Sequence, residues 1–207
     1  MNDLFITISI LALPVLLAVT MHEVAHGWVA DKLGDDTARQ AGRLTLNPIK
    51  HLDIVGTLVF FITRMVGWAK PVSVYPMNFR RPRQDMIWVA AAGPAANLCL
   101  AVLFALLFRL LAAMVNLVPL FFLQPFILIA QAGVIINVGL AVFNALPIPP
   151  LDGSSIAAGL LPLDMALRYE RLKPYGFIIL LILIFTGVVD KIVFPIIRFL
   201  AQFLLGV

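Results

Sequence analysis

The sequence predicts an all-α membrane protein, a polytopic helical bundle with a small membrane-associated β-hairpin or sheet between its first two long helices. Of its 207 residues, 62% are hydrophobic and 13% are charged, a balance that soluble domains of this length do not show. Several apolar stretches reach the roughly 20 residues that cross a bilayer as a helix. Between the first two stretches, short segments alternate polar and apolar residues, as strands do.

The apolar stretches define four helices and a closing segment. They are predicted over about 4–30, 86–115, 120–147 and 177–190, with a C-terminal apolar segment over 192–206. The first stretch begins with Asp3 rather than a basic residue and has no small-residue cleavage site, so it is interpreted as a retained helix and not as a signal peptide. With no internal repeat, residues 1–207 are predicted to form a single integral-membrane domain.

The region between the first two long helices is predicted to be irregular. Segment 54–67 is short and contains Arg64, so we expect it to be re-entrant or to lie at the interface, with a thin or tilted span as the alternative. Residues 42–48 and 68–76 alternate polar and apolar side chains, which favours a hairpin or small sheet.

Basic residues cluster at 32–50, 70–83 and 168–173, and the net charge is +4. The positive-inside rule assigns these clusters to the cytoplasmic side of a multi-pass membrane protein in contact with lipid. No basic face with interleaved aromatic residues accompanies them, so nucleic-acid binding is not expected. The end of the first long helix, the start of the second and the end of the third then meet near the cytoplasmic face.

The end of the first helix carries His22, Glu23 and His26. Positions i and i+4 share a helix face, so both imidazoles can bind one metal ion while Glu23 acts on a metal-bound water. Zinc with three protein ligands keeps a position open for that water and lowers its pKa. A chance pattern is the alternative, but ionisable groups near the bilayer core cost about 2–3 kcal/mol each and are usually functional or paired.

Asp152 is the candidate for the third ligand of one zinc ion per chain. It follows a proline-rich stretch at the predicted end of the third long helix, and those prolines stop the helix and extend the backbone. An ordinary helix N-cap is the alternative interpretation, which Ser154 and Ser155 nearby make credible.

Asn97 lies early in the second long helix, after Gly93 and Pro94. A buried amide needs partners, and Asn97 could donate to a developing oxyanion or hold the substrate carbonyl. Hydrogen bonding between helices is the alternative for Asn97, and close helix packing is the simple interpretation of Gly93. His51 and Asp53 are weaker candidates for ligands or acid/base groups, since a loop histidine beside a loop aspartate is more often a local pair.

Three motifs together resemble the signatures of the site-2 protease family, in order and on successive helices. They are His22-Glu23-x-x-His26, Gly93-Pro94-x-x-Asn97 and Asn144-x-x-Pro147-x-x-x-Leu151-Asp152-Gly153. The resemblance covers nearly the whole chain, which looks like a minimal form without a PDZ-like insert.

The resemblance implies regulated intramembrane proteolysis of transmembrane protein substrates near the cytoplasmic side. Because the minimal form resembles bacterial and archaeal members, it also implies a prokaryotic cell membrane, with an organellar membrane as the alternative. His22, His26 and Asp152 would bind zinc, Glu23 would be the general base, and Asn97 would assist at the scissile carbonyl. The hairpin between the first two long helices would help to deliver an extended substrate strand.

Three other functions compete with this interpretation. A transporter or channel would also carry intramembrane His, Glu and Asp residues, but the chain shows no inverted repeat and no paired broken helices. A catalytically silent scaffold is disfavoured by the presence of Glu23. A purely structural zinc ion is disfavoured because closed structural sites usually have four protein ligands.

Overall fold

The structure is a computed structural model that describes residues 2–53, 56 and 70–206. Helices dominate these residues. They are α1 (Asn2–Leu33), α2 (Thr37–Gln40), α3 (Pro82–Ala113), α4 (Leu120–Asn144), α5 (Asp152–Leu160), α6 (Leu163–Glu170), α7 (Gly176–Phe185) and α8 (Val188–Leu205). Short 3-10 helices occupy Pro48–Lys50, Pro76–Asn78 and Lys173–Tyr175.

Three helices are long and apolar enough to cross a membrane. The spans are Ile6–Leu33, Pro82–Ala113 and Leu120–Asn144, and they correspond to the first three predicted long helices. The second begins at Pro82, four residues before the predicted boundary, because proline is well suited to the first turn of a helix, where its missing N–H costs nothing.

The C-terminal region differs from the prediction of one helix over 177–190. Helix α7 ends at Phe185, and Gly187 adopts a left-handed conformation with φ of 71°, which favours glycine and interrupts the helix. Helix α8 then leaves at 76° to the helical stretch before it. Helices α5 and α6 were not predicted as helices, because they are short and their apolar residues are not continuous.

The predicted β-hairpin or sheet is wrong, since the described residues contain no β-strand. The N–H groups of Val72 and Tyr75 donate to the carboxylates of Glu23 and Asp35, not to a neighbouring strand. In the other segment, Asn47 Oδ1 accepts the Ile49 N–H, which closes a local turn. Carboxylates and turns therefore satisfy donors that a sheet ladder would have used. The short segment predicted over 54–67 lies outside the described residues, apart from Gly56.

The bundle core forms where α3, α4 and α8 pack together. Its buried members are Ala101, Phe104, Ala105, Val134, Val138, Ala201 and Leu205. Helix α1 packs on α3 and α4, and α5 packs on α3. This arrangement brings the second half of α1, the first half of α3 and the start of α5 to one place, where the candidate site lies.

Candidate metal centre

Helix α1 presents two imidazoles one turn apart. The Nε2 atoms of His22 and His26 lie 3.0 Å from each other, as the i and i+4 spacing on one helix face allows. Both residues are buried, with 8% of their surface exposed. The pair therefore offers two nitrogen ligands in a position that bulk water barely reaches.

Asp152 completes a group of three. Its Oδ2 atom lies 3.1 Å from His22 Nε2 and 3.3 Å from His26 Nε2. The N-cap of α5 is Leu151, so Asp152 is not the helix cap. The Asp152 side chain therefore faces both imidazoles and can serve as an anionic third ligand of a metal ion.

The other nitrogen of each imidazole bonds to an oxygen acceptor. His26 Nδ1 lies 2.7 Å from the carbonyl oxygen of Val89, and His22 Nδ1 lies 2.6 Å from Asn97 Oδ1. Because these oxygens accept, both Nδ1 atoms carry the proton, and in the neutral rings both Nε2 lone pairs point toward Asp152. Such Nδ1 bonds are what fix the orientation of histidine ligands in metal sites.

The two Nε2 atoms and the Asp152 carboxylate fit a zinc ion. Two lone pairs and a carboxylate oxygen repel one another unless a cation lies among them, and within the described residues Asp152 Oδ2 is a buried oxygen without a hydrogen-bond donor. Ligand atoms at about 2.0–2.1 Å around tetrahedral zinc are about 3.3–3.4 Å apart, close to the observed separations of 3.0–3.3 Å. His22, His26 and Asp152, called the trio below, are the one group of potential metal ligands that the described part of the chain brings together.

Glu23 lies beside the trio. It lines the same cavity, of about 320 Å³, together with His22, His26, Asp152 and Val72. Its Oε2 atom accepts the N–H of Val72 at 2.9 Å, so the side chain is directed toward the backbone at Val72, which also lines the cavity. A carboxylate in this position can exchange protons with a molecule held at the metal.

Asn97 contacts His22, a candidate ligand, and is not among the residues that line the cavity. It is fully buried, and its Nδ2 atom donates to Ala18 O at 3.0 Å and to Asn137 Oδ1 at 2.9 Å. Both N–H bonds are thus engaged, so donation to a scissile carbonyl, the predicted role, would require one of these bonds to break.

Gly93 allows the close approach of α3 to the imidazoles. A Cβ atom at this position would lie 2.4 Å from His26 Nε2 and 2.6 Å from His22 Cε1, far inside van der Waals contact. The sequence interpretation of Gly93 as a helix-packing residue did not identify the side chains that it approaches, which are the candidate ligands His22 and His26.

The weaker candidates lie outside the trio. His51 Nε2 is 2.8 Å from the Thr45 carbonyl oxygen, and Asp53 accepts the Gly56 N–H at 2.8 Å, both local contacts. Asn144, the first residue of the third sequence motif, lines the same cavity as His22, His26 and Asp152. Asn137 was not singled out from the sequence, because a lone amide in an apolar helix has no spacing signal; the need of any buried amide for partners could have flagged it.

The chain resembles curated metalloproteases along most of its length. It is 40% identical over 188 residues to "Putative zinc metalloprotease YwhC" of Bacillus subtilis, covering 89% of this chain and 84% of that one. It is 28% identical over 196 residues to "Putative zinc metalloprotease Rip2" of Mycolicibacterium smegmatis, covering 91% and 71% respectively. No protein-family model and no solved structure matches the chain. Because the similarity to YwhC extends over most of both chains, the protein belongs to the YwhC family of zinc metalloproteases.

Proposed function

We propose that the protein is an intramembrane zinc endopeptidase of the site-2 protease family, which cuts transmembrane protein segments near the cytoplasmic side of the cell membrane. The convergence of His22, His26 and Asp152 is the observation that carries the proposal, since their ligand atoms lie within 3.0–3.3 Å of one another. A glutamate in the same cavity distinguishes this arrangement from a closed structural site.

The proposed mechanism assigns a separate task to each side chain. A zinc ion bound by the trio would polarise the scissile carbonyl and make an attacking water more acidic. Glu23 takes the proton from that water and delivers it to the leaving amine nitrogen. The imidazoles keep their protons on Nδ1, because Asn97 Oδ1 and the Val89 carbonyl oxygen accept hydrogen bonds from these N–H groups. Burial of the trio limits access by bulk water, which strengthens the electrostatic interactions there.

The membrane setting supports a substrate that is itself a transmembrane segment. His22, Glu23 and His26 belong to a span-capable helix, Ile6–Leu33, so the candidate site lies on a segment that can cross the membrane. A substrate helix must unwind there to expose a peptide bond, because its own hydrogen bonds otherwise protect the backbone. The basic clusters flanking the spans support a cytoplasmic position for the site.

The test is cleavage of a transmembrane reporter by purified protein in liposomes, together with measurement of zinc content. Glu23→Gln should retain one zinc per chain and lose cleavage, because the amide cannot take a proton from water. Glu170→Gln is the matched control, since Glu170 lies at the surface in an ion pair with Lys173 and should leave both measurements unchanged.

Two outcomes of this test would contradict the proposal. Cleavage by Glu23→Gln at the parent rate would remove Glu23 from the mechanism. A parent protein that binds zinc but cuts none of a broad panel of membrane segments would contradict the endopeptidase proposal, and ion flux in the same liposomes would then be the next measurement.

A further inference from the structure

We infer that Asn137, on α4, is a positioning residue. It acts through Asn97 to hold the His22 ring so that its Nε2 atom faces His26 and Asp152, the other two candidate zinc ligands. The inference rests on the proposed function, since it takes the trio to be a zinc site. Asn137 makes no direct hydrogen bond to His22 among the described residues. Its side chain is fully buried and contacts Asn97, which in turn contacts His22.

The direction of every hydrogen bond in this chain is determined by backbone carbonyls. Asn137 Nδ2 donates to Gly133 O at 2.8 Å, which leaves Asn137 Oδ1 to accept from Asn97 Nδ2 at 2.9 Å. The second N–H of Asn97 donates to Ala18 O at 3.0 Å. A carbonyl oxygen can only accept, so neither amide can be reversed without placing an oxygen against an oxygen.

The last of these hydrogen bonds, between Asn97 and His22, determines the tautomer of the His22 ring. Asn97 Oδ1 faces His22 Nδ1 at 2.6 Å, so the proton of the neutral ring lies on Nδ1 and the lone pair lies on Nε2. A reversed Asn97 amide would present N–H groups to Nδ1 and favour the tautomer with the proton on Nε2, which cannot bind a metal through that atom. Asn137 opposes this reversal by accepting one of the Asn97 protons.

The two histidines differ in how they are held. His26 Nδ1 lies 2.7 Å from the backbone carbonyl oxygen of Val89. A backbone carbonyl needs no further support, because it cannot exchange its oxygen for an N–H group by rotating. His22 relies on a side-chain amide, which can. The hydrogen bonds therefore link α1, α3 and α4 through His22, the candidate ligand whose tautomer depends on a side chain. Loss of Asn137 should affect His22 and leave the contact between His26 and Val89 intact.

The test compares Asn137→Val with Asn137→Thr, two side chains of nearly the same shape. Threonine in a helix can donate its hydroxyl proton to the carbonyl four residues earlier, here Gly133, and can still accept from Asn97. Zinc affinity is measured by chelator competition on protein in detergent. We expect Asn137→Val to bind zinc about tenfold more weakly or worse, the range for lost outer-shell support, and Asn137→Thr to recover most of the loss.

A second measurement needs neither zinc nor cleavage. The ¹⁵N shifts of the His22 ring in metal-free protein report its tautomer, which should be Nδ1-protonated in the parent and mixed in Asn137→Val. Failure of the reporter assay would overturn the endopeptidase, while this result would still test the positioning role. Val134→Ala, one turn away in the buried core, should lower thermal stability without changing either measurement.

Parent-like zinc affinity and tautomer in Asn137→Val would overturn the inference. Equal losses in the Val and Thr variants would also overturn it, because packing and not hydrogen bonding would then be responsible. If Asn137→Val does not fold, Asn137→Ala and Asn137→Ser provide the same contrast, since serine retains the hydroxyl that alanine lacks.

Discussion

The backbone N–H of Val72 donates a hydrogen bond to Glu23 Oε2 at 2.9 Å. This contact joins the segment between the first two long helices to the candidate general base, although the two residues are far apart in sequence. Val72 also packs close to α1 at Gly27, where a Cβ atom would lie 3.2 Å from a Val72 methyl carbon. Pro71, Val72 and Val74 thus line the cavity that contains the candidate metal ligands.

Because glutamine retains an oxygen acceptor, Glu23→Gln and Glu23→Ala should differ in stability. Glutamine can still accept the Val72 N–H, whereas alanine leaves that donor in a half-buried place without its partner. We expect Glu23→Ala to lose about 1 kcal/mol of unfolding free energy and Glu23→Gln to stay near the parent, as measured by thermal unfolding in detergent. Equal stability of the two variants would show that the Val72 contact contributes nothing.

Gly93→Ala should weaken zinc binding without unfolding the protein. The added methyl group would overlap the imidazoles of His22 and His26, at 2.4–2.6 Å from their atoms, while alanine itself favours helix. We expect an affinity about 10–100-fold lower, the range for disturbed ligand support. The matched control is Gly139→Ala, whose methyl group would meet Ile197 at an ordinary 3.7 Å. An unchanged zinc affinity in Gly93→Ala would contradict the observed approach of α3.

Asp35 makes stability depend on pH on the acid side. Its side chain is fully buried, and it accepts the N–H of Tyr75 at 2.7 Å and the Nδ2 group of Asn78 at 2.7 Å. Burial alone would raise its pKa, but the hydrogen bonds from Thr37, Tyr75 and Asn78 outweigh burial and lower the pKa below 3.8. Its contribution is therefore present above the unfolded-state pKa and is lost as pH falls through the lower, folded-state pKa.

Asp35→Asn should remove that acid-side loss and weaken the protein at neutral pH, because an amide replaces one of two acceptor oxygens by a donor. Thermal unfolding in detergent from pH 7 to pH 2 measures both effects. Asp36→Asn is the control, since Asp36 is exposed and its side chain makes no capping hydrogen bond. A parent and an Asp35→Asn variant with parallel pH profiles would refute the role of Asp35.

Arg83 should stabilise the helix that begins with Asp152. Its Nη2 group donates to the carbonyl oxygens of Ala158 at 3.1 Å and Leu161 at 2.5 Å, near the C-terminal end of α5, where carbonyls lack intrahelical partners. Arg83→Met should cost at most about 1 kcal/mol, given the exposure of the side chain, and should lower zinc affinity modestly. Arg80→Met, an exposed position, should do neither; equal effects of both variants would indicate a general charge effect.

Local periodicity made much of this protein predictable from its sequence. Long apolar stretches predict the three span-capable helices, because a helix must satisfy its own backbone in lipid. The i and i+4 spacing of His22 and His26 places both imidazoles on one face for the same local reason. Asp152 could be proposed because zinc needs a third ligand and few acids were within topological reach.

The tertiary structure decided what local patterns cannot express. Alternation over 68–76 suggested a strand, yet the acceptors for Val72 and Tyr75 turned out to be carboxylates on and just beyond α1, which no pairing pattern in the segment reveals. The partners of Asn97 lie on two other helices, 79 and 40 residues away in sequence. Composition and spacing predicted the three long apolar helices and the candidate ligands, whereas hydrogen bonds between distant residues decided what each buried polar group does, because their donors and acceptors meet only after the helices pack.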